Sequence, residues 1–221
     1  MNESLKKARE DVLWGCKTMA SRGYMLGTVG NLSARVEGEN LAVITPTSRP
    51  YDTMKEEDLV IVDLDGNVIE GKYQPSIECS MHMGVYRVRP ELRALVHTHS
   101  KYATAVSSIR GLDVFPAMDT EQSLYLGGDL NIVPFAFPGS KELAQYVRDG
   151  IGTKAGLLMA NHGALGAGVS MKDAMIASDI IERNCEMYLL LKAAGCDAKP
   201  MSEEYLEFVD IKSRKKRCVE I

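Results

Sequence analysis

The sequence predicts an α/β protein, a single-domain α/β/α sandwich around a mainly antiparallel, mixed central sheet. Three observations lead there. Stretches with apolar residues at helical spacing interleave with short β-rich runs, those runs come in pairs joined by tight-turn signals, and the regular strand–helix–strand rhythm of a doubly wound parallel sheet is missing.

From about Ser4 to Ser21 the residues Leu5, Ala8, Val12, Leu13, Cys16 and Met19 recur on one helical face. Glycine-punctuated turns follow, and "LSARV" and "LAVIT" face each other across "EGEN" as a hairpin. "LVIVDL" and "NVIEG" form a second pair around the Asp65-Gly66 turn. Ser76 then reads as the N-cap of a helix that ends near Arg89, because Pro90 disfavours continuation. "LRALVHTH" is a strand, "YATAVSS" a short helix and "LNIVPFAF" extended. "GSKELAQYVRDGI" is a helix capped by Ser140, "GLLMANHGALGAG" a pair of strands about a turn, and "MKDAMIASDIIERNCEMYLLLKAAG" a long helix stopped by Gly195. The whole chain, 1–221, reads as one domain with a C-terminal tail from about residue 200.

A formal net charge of −4 gives no electrostatic footprint for nucleic acid, and the basic run "KSRKKR" near the C-terminus reads as a solvated tail. Five cysteines, odd in number and without a Cys-x-x-Cys pair, read as reduced thiols. The N-terminal stretch is charged and amphipathic, and no segment has membrane-spanning length. A cytoplasmic protein is expected.

The chemistry concentrates in "ALVHTHS". Strand side chains alternate faces, so His97 and His99 project the same way and can share one ion. His162 sits in the same local setting, an apolar strand giving way to a glycine turn. Three imidazoles suit a catalytic zinc site with a position left for water or substrate; core or surface histidines satisfied by hydrogen bonds are the plain alternative, which a His-x-His pair at a strand end disfavours. Glu78 is a candidate fourth ligand or general base, or simply a first-turn glutamate favoured by the helix dipole. His82, one turn later, could pair with Glu78 in a separate site, but three histidines are placed without it and it reads as a packed residue behind the site. The stretches "GTVGNLS", "TPTSRPY" and "QPSIE" are turns whose backbone N–H groups and hydroxyls suit an anion, each alone being only a turn.

Taken together, "GTVGNLSAR", "TPTSRPY", "PSIECSMHMGVYRVRPELRALVHTHSKYATAVS" and "MANHGALGAG" resemble the class II aldolase and adducin-head superfamily, L-fuculose-phosphate aldolase type, over nearly the whole chain. The resemblance implies the aldolase II fold and a zinc-dependent lyase that cleaves a phosphorylated ketose or deoxyketose to dihydroxyacetone phosphate and an aldehyde through an enediolate. It implies His97, His99 and His162 as ligands of zinc or another divalent metal, and Glu78 as ligand and then acid/base. It places the substrate phosphate at Gly30, Asn31, Thr47, Ser48 and Ser76. A homotetramer with interface active sites is implied too.

Three departures stand out. The family pattern often has glycine where Ser48 stands and a second serine where Ile77 stands. Phe135 occupies the place aligned with a family tyrosine that serves the aldehyde side, leaving Tyr51, Tyr125, Tyr205 or a water to take that role. The superfamily also contains L-ribulose-5-phosphate 4-epimerases, dehydratases and decarboxylases, for which Asp119 and Glu121 could add an acid/base group. A non-catalytic, adducin-like binding module is disfavoured by retention of Glu78 and the three histidines.

Overall fold

The structure is a computed structural model that describes residues 3–25 and 27–216, the last seven of these as helix backbone only. Chain order is α1 (Glu3–Arg22), β1 (Asn31–Arg35), β2 (Leu41–Ile44), a 3-10 turn (Glu56–Asp58), β3 (Val60–Asp63), β4 (Val68–Glu70), α2 (Cys79–Val88), β5 (Ala94–Thr98) and α3 (Lys101–Ser107). The second half runs β6 (Val114–Phe115), a π-helical turn (Gln122–Leu126), β7 (Leu130–Val133), α4 (Lys141–Gly150), β8 (Gly156–Met159), β9 (Gly163–Gly168), α5 (Met171–Ala193) and α6 (Glu203–Lys216).

The strands form one sheet in the order β4-β3-β2-β1-β5-β9-β8-β7-β6. Among the described residues only β7 and β8 pair in parallel; every other neighbouring pair is antiparallel. Both expected hairpins form, and Gly66, at φ 90°, makes the second turn. The sandwich follows from alternation along the strands. Leu95, Leu157 and Met159 point to one face, where Met83, Tyr86, Leu143 and Val147 of α2 and α4 cover them. Ala94 and Val96 point to the other, against Val12 and Met19 of α1 and Met171 and Met175 of α5. Leu158 and Ala164 extend that second core toward Ala103 and Val106 of α3. A Leu→Ala change at a site as buried as Leu95 removes about 2–5 kcal/mol of stability.

Helix ends differ from the sequence reading in one informative place. Ser76 is not the N-cap of α2: its Oγ accepts the Glu78 N–H at 3.3 Å in a turn ahead of the helix, its N–H bonds to Thr45 O at 3.0 Å, and the helix begins only at Cys79 with Glu78 in the N-cap position. The other helix limits agree: Ser140 Oγ accepts the Leu143 N–H at 3.1 Å, Arg89 follows α2 as its C-cap, and Gly195 adopts φ 72° beyond α5. Of "LNIVPFAF" only Leu130–Val133 is strand. The tail reading missed α6, which lies against the π-helical turn. The side chains of the basic run, 212–217, fall outside the described residues, as does Cys218. Cys16, Cys79, Cys185 and Cys196 are free thiols. Among the described residues no helix is long and apolar enough to cross a membrane.

Candidate metal centre

His97 lies near the end of β5, on the same strand face as Leu95, and so looks toward α2 rather than α1. His99, two residues on, keeps that direction, and the two Nε2 atoms approach to 2.9 Å. β9 pairs with β5 in antiparallel register, Thr98 opposite Ala164, which brings the turn holding His162 beside them. The three imidazole centroids are mutually 4.7–4.8 Å apart. Two backbone features make that turn possible. Asn161 sits in the left-handed region at φ 56°, and Gly163, at φ 154°, passes so close to β5 that a Cβ there would stand 2.1 Å from Thr98 O.

Glu78 closes the group from the N-cap of α2. Its Oε2 lies 3.2 Å from His97 Nε2 and its Oε1 3.3 Å from His162 Nε2. One donor atom from each of Glu78, His97, His99 and His162 falls within 4.8 Å of all the others. Zinc–nitrogen bonds of about 2.0–2.1 Å on a tetrahedron put ligand atoms about 3.3 Å apart, which is the Glu78 Oε1 to His162 Nε2 spacing. Glu78 Oε1 is buried and has no hydrogen-bond partner, an arrangement that would cost roughly 1–3 kcal/mol unless a cation meets it. The donor set of three nitrogens and a carboxylate therefore fits a divalent metal ion, and these four residues form its site.

Electrostatics agree. Burial by itself would raise the Glu78 pKa, but His97 and His162, with the Asn31 amide, hold it well below the ordinary carboxylate range. Burial also favours neutral His99 and His162; with His97 adding repulsion, their pKa values fall to about 3 and about 4. At His97 burial pulls the same way, yet the adjoining Glu78 carboxylate outweighs it and raises the pKa. The ring is aimed by its far nitrogen: Nδ1–H donates to Ala164 O at 2.9 Å, turning Nε2 toward the centre.

The three polar turns converge on this group. Asn31 is the cross-strand partner of His97, and a Cβ on Gly30, at φ 84°, would stand 2.7 Å from His97 O. The Tyr51 hydroxyl donates to Gly30 O, so Tyr51 braces this turn. A bridge between Pro46 and Pro75, with Thr47 N–H bonded to Gln74 O at 3.1 Å, brings Thr47 and Ser48 alongside Ser76. Ser48 is exposed at φ 55°, where glycine is unstrained, which gives the family's preference for glycine a physical reason. Ile77 is 63 % exposed and, being isoleucine, offers no hydroxyl at that position.

Asp119 and Glu121 are not among the metal-site donors. Asp119 accepts from Gln122 N–H and Asn184 and pairs with Arg183, fastening the π-helical turn to α5, and Glu121 binds the Thr120 hydroxyl at 3.0 Å. Tyr125, on that turn, lines a separate cavity of about 360 Å³ with Arg89, Leu92 and Lys172, and Tyr205 is on α6. Phe135 and Phe137 are exposed with ring centroids 6.2 Å apart.

Sequence reasoning missed what surrounds the ligands. Asn31, assigned to phosphate, donates from Nδ2 to Glu78 Oε2 at 2.7 Å and lies 2.5 Å from His82 Nε2 through Oδ1. Glu182 of α5 accepts from Ser100 Oγ and from the N–H groups of Tyr102 and Ala103, at 2.6–2.9 Å, anchoring α3 directly after His99. The signal for Asn31 was present: Asn31 and Ser33 put two polar side chains on one face of a buried strand. For Glu182 no local signal exists.

The sequence pattern of the class II aldolase and adducin N-terminal domain matches residues 10–189. The chain belongs to that family. It is 36 % identical over 203 residues to the 5-deoxy-D-ribulose 1-phosphate aldolase of Bacillus thuringiensis serovar kurstaki, covering 92 % of this chain and 93 % of that one. It is 32 % identical over 178 residues to the 3-oxo-tetronate 4-phosphate decarboxylase of Haemophilus influenzae, covering 80 % and 84 %. Among solved structures, an L-fuculose 1-phosphate aldolase superposes with a TM-score of 0.87 at 29 % identity, over 93 % of this chain and 95 % of that one. The fold is the aldolase II fold, and the protein is a metal-dependent enzyme of the class II sugar-phosphate aldolase family.

Proposed function

We propose that the protein is a zinc-dependent aldolase that cleaves a phosphorylated ketose or deoxyketose, of the L-fuculose 1-phosphate kind, to dihydroxyacetone phosphate and an aldehyde. The observation that carries this is Glu78: a buried carboxylate with one oxygen tied to Asn31 and the other unpartnered among three imidazoles. Such a group can hold a metal ion and, once substrate oxygens take its place, work as a base beside it. The names of the relatives support a five- or six-carbon 1-phosphate substrate.

The ion, when bound, supplies positive charge for the electron density that collects on the ketose oxygens as the carbon–carbon bond breaks. The chain's own residues do the rest. In the synthetic direction Glu78 takes a proton from the hydroxymethyl carbon of dihydroxyacetone phosphate; in cleavage it returns that proton. Gly30 N–H, Thr47, Ser48 and Ser76 hold the phosphate, with Asn31 offering the second hydrogen of its amide. The low pKa of Glu78 in the ion-free site keeps it ionised, the form in which it can bind metal or accept a proton. A cytoplasmic homotetramer is part of the same proposal.

The test incubates zinc-loaded protein with dihydroxyacetone phosphate and a panel of short aldehydes, against Glu78→Gln. Carbon–carbon bond formation that falls by at least about a hundredfold in the variant is expected, the usual weight of a positioned acid/base group. Carbon dioxide released from a 3-oxo acid phosphate, with no condensation product, would replace this reading with the decarboxylase branch.

A further inference from the structure

Glu78 is the near end of a buried polar chain whose far members, His82, Ser33 and Tyr86, take no part in the reaction described above. Asn31 Nδ2 donates to Glu78 Oε2 at 2.7 Å, and Asn31 Oδ1 lies 2.5 Å from His82 Nε2. His82 Nδ1 lies 2.7 Å from Ser33 Oγ, and Ser33 Oγ 2.8 Å from the Tyr86 hydroxyl. Asn31 is 3 % exposed and Glu78 4 %, while Ser33, His82 and Tyr86 are fully buried. Three elements contribute: β1 supplies Asn31 and Ser33, α2 supplies His82 and Tyr86, and Glu78 sits at the head of α2.

The direction of every hydrogen bond follows from the carboxylate end. A carboxylate oxygen accepts, so Asn31 turns its amide nitrogen toward Glu78 and its carbonyl oxygen toward His82. That oxygen can only accept, so His82 carries its proton on Nε2 and donates it. His82 Nδ1 is then an acceptor, which commits the single Ser33 proton to the ring and leaves the Tyr86 hydroxyl to donate to Ser33, with Oγ at 2.8 Å and the backbone O at 3.1 Å sharing its proton. From Glu78 to Ser33 each side chain has one way to satisfy its neighbours, and that polarity holds only with the ring in the Nε2–H form.

We propose that His82 is a positioning residue that sets Glu78 through Asn31, keeping Oε2 occupied so that Oε1 is the oxygen presented to the metal and to substrate. The inference rests on Glu78 belonging to the metal centre and would hold for any reaction run there. In the ion-free protein α2 cannot swing Glu78 away without breaking a chain anchored two helical turns further on, at Tyr86. His82 therefore acts on the carboxylate without touching it.

The experiment measures zinc affinity by competition with a chelator for the wild type, His82→Leu and His82→Gln, with circular dichroism confirming the fold of each. Glutamine places a donor where Nε2 stood; leucine fills the volume and donates nothing. A loss of about 10–100-fold for His82→Leu, with most of the affinity kept by His82→Gln, is expected for a residue behind a ligand. Equal zinc affinity in wild type and a folded His82→Leu would overturn the proposal. Should His82→Leu not fold, nitrogen-15 chemical shifts of the His82 ring in the metal-free wild type decide: a proton on Nε2 is expected, and one on Nδ1 reverses the chain and refutes it. Neither readout depends on turnover. A protein that binds zinc with the His82 dependence yet condenses no aldehyde would remove the aldolase reading alone.

Discussion

Ser48 carries a backbone geometry that its side chain does not suit. At φ 55° it sits in the left-handed region, which costs an L-residue other than glycine, asparagine or aspartate about 1–2 kcal/mol. The side chain is exposed, so replacement leaves no cavity. Ser48→Gly is expected to raise stability by about 1 kcal/mol, part of the strain relief being offset by the greater freedom of glycine in the unfolded chain. Urea denaturation checks this, and a loss of stability would mean that the hydroxyl matters more than the strain. Glu78 shows the same tension between local and functional demands. It occupies the N-cap position of α2 but makes no capping hydrogen bond, both its oxygens being turned to the imidazoles and Asn31. A serine or aspartate there would cap the helix better by about 1 kcal/mol and lose the reach into the site.

At the level of elements, the metal centre depends on how closely β9 can approach β5. Gly163 follows His162 immediately, and the space for its missing Cβ is taken by Thr98 O at 2.1 Å. Gly163→Ala is expected to cost at least about 2 kcal/mol and to move His162 off its neighbours. Thermal unfolding together with zinc content by atomic emission reads both effects; a variant with full zinc and unchanged Tm would contradict this account of the turn. The helices serve the strands in turn. Glu182 on α5 fastens the start of α3, and through it the residue just before, Ser100, next to His99. Asp119, which the sequence offered as a possible acid/base group, is instead an anchor between the π-helical turn and α5, through Asn184 and Arg183.

Across the whole molecule, the metal centre couples to stability. Zinc at about a hundred times its Kd should add about 2.7 kcal/mol to the unfolding free energy, seen as a higher Tm that a chelator abolishes. The ion-free protein has a pH dependence of definite sign. His82, His99 and His162 have folded pKa values of about 3, about 3 and about 4, below the ordinary histidine value of 6.5. Burial is the largest cause for each, and repulsion from His97 adds to it. The unfolded chain therefore binds more protons, so this contribution is full above about pH 6.5 and drains as pH falls toward 4. His97, with a raised pKa, works oppositely, lending stability below its unfolded value and losing it as pH rises through the folded one. Three groups against one make the Tm of ion-free protein fall between pH 7 and pH 5; a Tm that rises over that interval would contradict the assignment.

Much of this was legible along the chain, because hairpins, caps and helices are written in spacings of a few residues. "LSARV" with "LAVIT", the Asp65-Gly66 turn, Ser140 and Gly195 all did what their neighbourhoods dictate. Glu78, His97, His99 and His162 were readable too, since imidazoles at alternate strand positions must share a face and the family pattern supplies the rest. What only the tertiary structure decided is which groups stand behind them. The register of β1 on β5 sets Asn31 opposite His97, and α2 crossing that sheet face brings His82 and Tyr86 to Ser33, 49 and 53 residues away in sequence. The bridge between Pro46 and Pro75 goes with the bond that holds Ser76 to Thr45, and α2 starts only with Glu78 as its N-cap. Strand pairing and helix packing are satisfied over distances that no local periodicity records, and the buried carboxylate takes its hydrogen-bond partners from whatever that packing delivers.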